Sequence, residues 1–222
     1  LMKPHYDKAV KEAREKDTPE VRRGVGLAWG GFNVSEGPTD VATVHLELNA
    51  DNTVTKYDTW QELGQGGDIG SLMVTLEALK PLKLKPEQIR LVQNDTKICP
   101  DSGMSAASRS HYMNGNATIA AANKMLDAMR KPDGTFRTYD EMVKEGLPTK
   151  FEGKFANIVT EGLSRLDPNT GIGDPTPAFT YALNMAEVAV DTKTGKTTVT
   201  RFACVADVGR IGNIDAVNGQ AF

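Results

Sequence analysis

Residues 60–73 read WQELGQGGDIGSLM, with glycines at 64, 66, 67 and 70 running straight into an apolar helical spacing. A helix start exposes unpaired N–H groups and a partial positive charge, so a glycine loop placed there suits an anion. Gly64, Gly66 and Gly67 would let a bulky ligand reach the backbone. Gln65 between them offers one acceptor and two donors. The spacing is neither a P-loop nor a dinucleotide fingerprint. Two further stretches precede helices in the same way, Ser102–Ser110 and Gly209–Gly219. Ser102, Ser105, Ser108 and Arg109 supply hydroxyl donors and a fixed cation, a set suited to phosphate. The three together imply a large, flat, hydrogen-bonding ligand that carries a phosphate. Plainer roles compete with each. The glycine loop can be a simple turn, Ser105 an N-cap and Arg109 a solvated surface charge. Glu62 and Asp68, flanking the glycines, fit a base or, more plainly, an exposed charge and a helix cap.

Other chemistries find no support. His45 and His111 lack metal-ligand spacing, and no metal site is assigned. No GxSxG elbow and no CxxC occur. The two cysteines, Cys99 and Cys204, cannot make a disulfide framework or a four-thiolate cluster and read as half-buried thiols. The formal net charge of −3 and the absence of a basic run argue against nucleic acid and anionic membrane. No apolar run approaches ~20 residues, so no membrane-spanning helix is expected. The N-terminus lacks the apolar core of a signal peptide, and a cytoplasmic protein is expected. The chain opens on Leu1–Met2 and stops in NGQAF, which reads as a segment of a longer protein.

The elements that must position these loops follow from periodicity. Residues 1–20 read as an exposed N-terminal helix or linker and 21–222 as one partial domain. Residues 22–34 read as a strand, and 44–60 as a hairpin in which Val44, Leu46 and Leu48 alternate with His45, Glu47 and Asn49. Asp68 caps a helix with Ile69, Leu72, Met73, Leu76 and Leu79 on its apolar face, ended by Pro81. Residues 88–95 form a short strand. A long helix ends near 130, with a stripe of mostly small residues at Met113, Ala117, Ala120, Ala121, Met125, Ala128 and Met129. Residues 131–177 read as a long irregular excursion with a helical piece at Tyr139–Glu145 and a strand at 151–160. Residues 186–209 repeat the design of 44–66: alternating strand, polar turn, Thr-rich strand, then a glycine loop feeding a helix. The fold expected is α+β, with two related β-hairpin–glycine loop–helix units forming mixed sheets packed with helices. Two such units could place glycine loops on opposite sides of one ligand.

The ordered set ELGQGGDIG, NDTKICPDSGMSAASRSHYMNGNA and DVGRIGNIDAVNGQAF resembles the molybdenum hydroxylases, the xanthine dehydrogenase and aldehyde oxidoreductase enzymes. The resemblance covers about residues 22–222, and TYDEMVKEGLPTKFEGKF within the excursion is similar to the bacterial aldehyde oxidoreductases. It implies part of the molybdopterin-binding domain of a larger enzyme, whose cofactor is a molybdenum pterin, in bacteria often a dinucleotide. Gly64, Gln65, Gly66 and Gly67 match the loop that hydrogen-bonds the pterin. Ser105, Ala106, Ala107, Ser108 and Arg109 match the segment at the pterin and its phosphate. Gly209 and Gln220 match the later GQ loop. The implied chemistry is hydroxylation of an aldehyde with water as the oxygen source and a glutamate as base. A small-molecule substrate, iron–sulfur and possibly flavin domains or subunits, and a homo-oligomeric full-length enzyme come with it. The family's GxGE and GGxFGxK motifs are missing, and GGF at 30–32 reads as strand. No catalytic residue is therefore assigned, and the segment alone is expected to be inactive and cofactor-free. The rival readings are an N-heterocycle (xanthine- or purine-type) dehydrogenase of the same family, and a cofactor-free binding or scaffold module.

Overall fold

Alternating burial along 41–58 builds the main sheet. The computed structural model describes residues 2–35, 37, 39–157 and 162–221. In it β2 (Val41–Leu48) and β3 (Val54–Asp58) form the expected antiparallel hairpin, starting three residues before Val44. Ala42, Val44, Leu46 and Leu48 share one buried face, as a period of two requires. Asn49 ties the turn by donating through Nδ2 to the hydroxyls of Thr53 and Thr55. α2 (Gly67–Ala78) follows, and Pro81 lies in a short 3₁₀ turn just past its end. β4 (Ile89–Gln93) then pairs parallel to β3.

A π-helical turn at Ser110–Asn114 leads into α3 (Gly115–Met129). The small-residue stripe is buried as expected at Met113, Ala117, Ala121, Met125 and Met129. What it meets is β5 (Lys150–Ala156), which pairs antiparallel with β2 and completes the order β4-β3-β2-β5. The helical piece and the strand expected within the 131–177 excursion are thus both formed. α4 (Tyr139–Lys144) begins with a capping box between Thr138 and Glu141, and its Met142 is buried in the same core as Phe151 of β5. Residues 158–160 of the expected strand lie outside the described residues. At Gly153 the backbones of β5 and α3 come so close that a methyl group would overlap Ala117 O and Ala121 N.

These elements belong to one compact unit, Asn33–Ala178 with Gly212–Gln220. The other comprises Leu1–Phe32 and Phe179–Ile211. It is built on the sheet β1-β6-β7, where β1 is Val21–Asn33, β6 is Phe179–Asp191 and β7 is Thr197–Asp207. The β6–β7 hairpin starts earlier than the expected Ala186. Its turn is closed by the Asp191 carboxylate, which accepts from the N–H groups of Lys193 and Thr194. α1 (Met2–Glu15) is no exposed linker: Met2 and Ala9 are buried with Met185. α5 (Ile214–Ala221) follows the hairpin, as α2 follows β2–β3. The fold class is α+β, and among the described residues no helix is long and apolar enough to cross a membrane.

Gly153→Val inserts a branched side chain where backbone atoms already stand. We expect a loss of at least about 3 kcal/mol, toward the upper end for overpacking. Denaturant unfolding of the variant against the parent reads it directly.

Candidate functional site

The segment leading into the glycine loop is bound to the Ser–Ala loop by two residues, Thr59 and Gln61. Thr59 N donates to Ser102 Oγ and Ser102 N to Thr59 Oγ1, both at 3.1 Å. Gln61 N donates to Ser105 Oγ at 3.0 Å, and Ser105 N returns a hydrogen bond to Gln61 Oε1. Ser102 Oγ also donates to Thr43 O of β2 at 2.7 Å. Residues 43 and 44 positions apart in the chain are therefore laced together before either loop turns toward its helix. Residues 212–219 of the third stretch belong to the same unit. Asn213 Nδ2 lies 3.6 Å from Met73 Sδ, and a methyl on Gly66 would stand 3.9 Å from Ala216 Cβ. Gln220 sits inside α5 and is exposed, so the expected GQ loop is helical at that point. Gly209 lies in the other unit, with φ +70°.

The anion seat at the start of α2 is already filled from within. The Glu62 carboxylate accepts from Gly64 N at 2.8 Å, Gly66 N at 3.1 Å and Asp68 N at 3.0 Å. Those N–H groups, Asp68's foremost, hold the Glu62 carboxyl below its ordinary range. Asp68 is therefore not the cap. The helix begins at Gly67 behind a left-handed Gly66, and Glu62 takes the capping role. Gln65 is also turned inward, with Oε1 accepting from Leu63 N at 2.6 Å and Nε2 donating to Gln61 O at 2.8 Å.

The glycines divide into two jobs. Gly64 (φ +99°) and Gly66 (φ +80°) adopt backbone shapes that other residues resist, and nothing lies within 4 Å of the Gly64 Cβ position. Gly67 and Gly70 instead make room for Trp60, whose ring atoms would stand 3.1 and 3.2 Å from added methyl groups. Trp60 in turn rests on a fully buried ammonium. Lys56 Nζ lies 4.9 Å from its ring centroid, 3.0 Å from Asp58 Oδ2 and 2.8 Å from Ser71 Oγ. Burial pushes the Lys56 pKa down, and Asp58 opposes that shift. This cluster explains why α2 buries Gly67, Ser71 and Thr75 while the expected core residues Ile69 and Met73 stay exposed. The His111 ring stands edge-on to Trp60 at 6.0 Å. Desolvation there, and then the nearby Lys56 charge, lower its pKa.

Arg109 is neither a surface charge nor a free cation. It is 2% exposed. Its Nε lies 2.8 Å from both Asp40 oxygens, its Nη2 reaches Asp40 Oδ1 at 2.6 Å and Val41 O at 2.7 Å, and its Nη1 reaches Ser102 O and Met104 O. Ala107 and Ser108 follow one another in the left-handed region, at φ +46° and +52°. The N–H groups of Ala106, Ala107 and Ser108 donate to no group among the described residues, and Ser108 is exposed. Successive free N–H groups at such a turn form a cradle for a phosphate or a polar ring edge. Phosphate capacity in this segment thus rests on backbone N–H groups, not on the guanidinium. Ser105 is spent on Gln61 and Ser110.

A family model described as the molybdopterin cofactor-binding domain matches residues 1–222. The chain belongs to that family. It is 37% identical to the aldehyde oxidoreductase of Megalodesulfovibrio gigas over 221 residues, all of this chain and 24% of that protein. It is 28% identical to a probable hypoxanthine oxidase of Escherichia coli over 219 residues, 91% of this chain and 22% of that one. Among solved structures, the aldehyde oxidoreductase from Desulfovibrio desulfuricans superposes with a TM-score of 0.90 at 40% identity, over 99% of this chain and 24% of that one. The chain thus spans about a quarter of the length of the relatives it matches. The unpartnered N–H groups of Ala106–Ser108 and the open face of Gly64 fit a molybdopterin. Among the described residues no three His, Cys, Asp or Glu side chains gather to hold a metal ion.

Sequence reasoning missed Glu62 as the cap, Asp40 as the partner of Arg109, and the Lys56–Asp58 pair. The last had a signal: a lysine and an aspartate two apart in a strand share the face of Val54.

Two outcomes follow. A carboxyl with a lowered folded-state pKa lends stability above its unfolded value and loses it as pH falls through the folded one. The protection of the amides across 60–72, taken relative to their intrinsic exchange rates at the same pH, should therefore fall in the parent as pH drops below the usual glutamate range. In Glu62→Gln that protection should already be low at neutral pH and change little with acid. Lys56→Ala leaves Asp58 buried without its cation and should cost about 3–5 kcal/mol in denaturant unfolding.

Proposed function

We propose that the full-length protein carrying this domain is a molybdenum-dependent oxidoreductase that hydroxylates an aldehyde, taking the oxygen from water. The observation that carries this reading is the 37% identity to an aldehyde oxidoreductase across the entire chain, against 28% to a hypoxanthine oxidase. Bound molybdopterin supplies the two-electron redox chemistry. The residues of this chain do the holding. The N–H groups of Ala106, Ala107 and Ser108 receive a phosphate or the pterin edge, with the exposed Ser108 hydroxyl beside them. The open backbone at Gly64, with Gly66 and Gly67 beside it, admits a flat ring, and Gln65 can exchange its bonds within the loop for bonds to that ring. Glu62 keeps the α2 end neutralised, so phosphate is directed to the Ser–Ala loop. Gly209 and Gln220 are assigned to the same cofactor on the resemblance alone. Iron–sulfur and possibly flavin partners would carry electrons away, and the assembly would be a homo-oligomer in the cytoplasm. The isolated segment would be inactive, since none of its residues is assigned as the base.

The second reading, an N-heterocycle dehydrogenase, is favoured by the hypoxanthine oxidase match over 91% of the chain. One preparation separates the readings. The full-length protein, purified from cells that make the cofactor, is expected to hold about one molybdenum per chain. Its kcat/KM for simple aldehydes is expected to exceed that for hypoxanthine by at least ~tenfold. A reversed ratio would favour the heterocycle enzyme, and a molybdenum-free, pterin-free protein the binding module.

A further inference from the structure

We infer that Asp40 is a positioning residue for the cofactor segment: by holding the Arg109 guanidinium inside the Ser102–Arg109 loop, it turns the loop's carbonyls inward and its N–H groups outward. The inference rests on the molybdopterin reading above. Arg109 and Asp40 are both almost wholly buried, at 2% and 5% side-chain exposure. A guanidinium has five N–H donors in a rigid fork and no acceptor, so it gathers oxygens and nothing else. Here it gathers Asp40, Val41 O, Ser102 O and Met104 O. Two of those carbonyls belong to the loop itself. Drawing them toward one centre leaves the next N–H groups, those of Ala106, Ala107 and Ser108, without partners.

Asp40 is itself held. Ser35 Oγ donates to Asp40 Oδ2 at 3.0 Å, Asn157 Nδ2 donates to Ser35 Oγ and to Gly37 O, and Asp40 N donates to Gly37 O at 3.2 Å. Ser35 N also donates to Ala107 O at 2.8 Å, which removes a third loop carbonyl from the outer face. Ser35 and Asn157 are fully buried. The left-handed pair Ala107–Ser108 is costly for residues with a side chain, and this network over-determines it. A Gly103 at φ +74° is needed for the same reason: a methyl there would run into the guanidinium.

A rival arrangement has Arg109 swing out and bind the phosphate directly. The two differ in what Asp40 does. If Arg109 binds the phosphate, Asp40 competes with it. If Asp40 positions the loop, losing Asp40 loses the cofactor.

The test uses the full-length protein made in cells that supply the cofactor. The readouts are molybdenum and pterin per folded chain, with the melting temperature as the folding control. Asp40→Asn and Arg109→Lys are each expected to lower cofactor content at least ~tenfold, and the double variant no further than either alone, as residues of one unit behave. Should Asp40→Asn fail to fold, Arg109→Lys decides. Lysine keeps a cation for phosphate but cannot gather the five oxygens, so full content in that variant overturns the inference. Undiminished or increased content in a folded Asp40→Asn overturns it equally. A parent protein without pterin would instead sink the functional reading, which keeps the two failures distinct.

Discussion

One guanidinium, sealed from water in the loop ahead of α3, sets the geometry on which the candidate site depends. A buried cation is tolerated only when its donors are met, and Arg109 meets them with a carboxylate and backbone carbonyls from β2 and its own loop. That requirement fixes the direction of the loop's carbonyls. The opposite face is then left with N–H groups, and a row of N–H groups is what an anionic or ring-edge ligand needs. The row of free N–H groups is a by-product of how a charge was buried.

The glycine loop shows the same logic with the sign reversed. A helix start that suits an anion has been given one, the Glu62 carboxylate, at three N–H groups. The seat is occupied by the chain itself, so the start of α2 offers no free anion site. Beneath it, Trp60 and the Lys56–Asp58–Ser71 cluster form the floor. Two glycines face the site and two face this floor, although all four look alike in the sequence.

Both loops are held in place by packing some distance away. α3 presses on β5 at Gly153 because its stripe of alanines has no bulk to keep the backbones apart. β5 holds β2, and β2 supplies the carbonyls that receive Ser102 and Arg109. The path from the small-residue stripe to the cradle is a short chain of direct contacts. The segment read as an excursion is essential to it, because β5 closes the sheet that α3 packs against.

The sequence by itself determined the elements whose pattern is local. The β2–β3 hairpin, the buried stripe of α3, the glycine loop before α2 and the ordered motifs of the family were all readable, since each depends on residues a few positions apart. β5 was readable as a strand at 151–160, but not its pairing with β2, nor that Gly153 had to meet Ala117 of α3. The tertiary structure alone decided which polar groups are spent and which are free. Gln65, Ser105 and Arg109 all looked like ligand donors in the chain, and all three are engaged within the protein. The free donors are the N–H groups of Ala106–Ser108; the family resemblance marked that segment, but not that its backbone rather than its side chains stays free. Hydrogen-bond satisfaction is a property of pairs brought together from far apart, so only the folded chain could settle it.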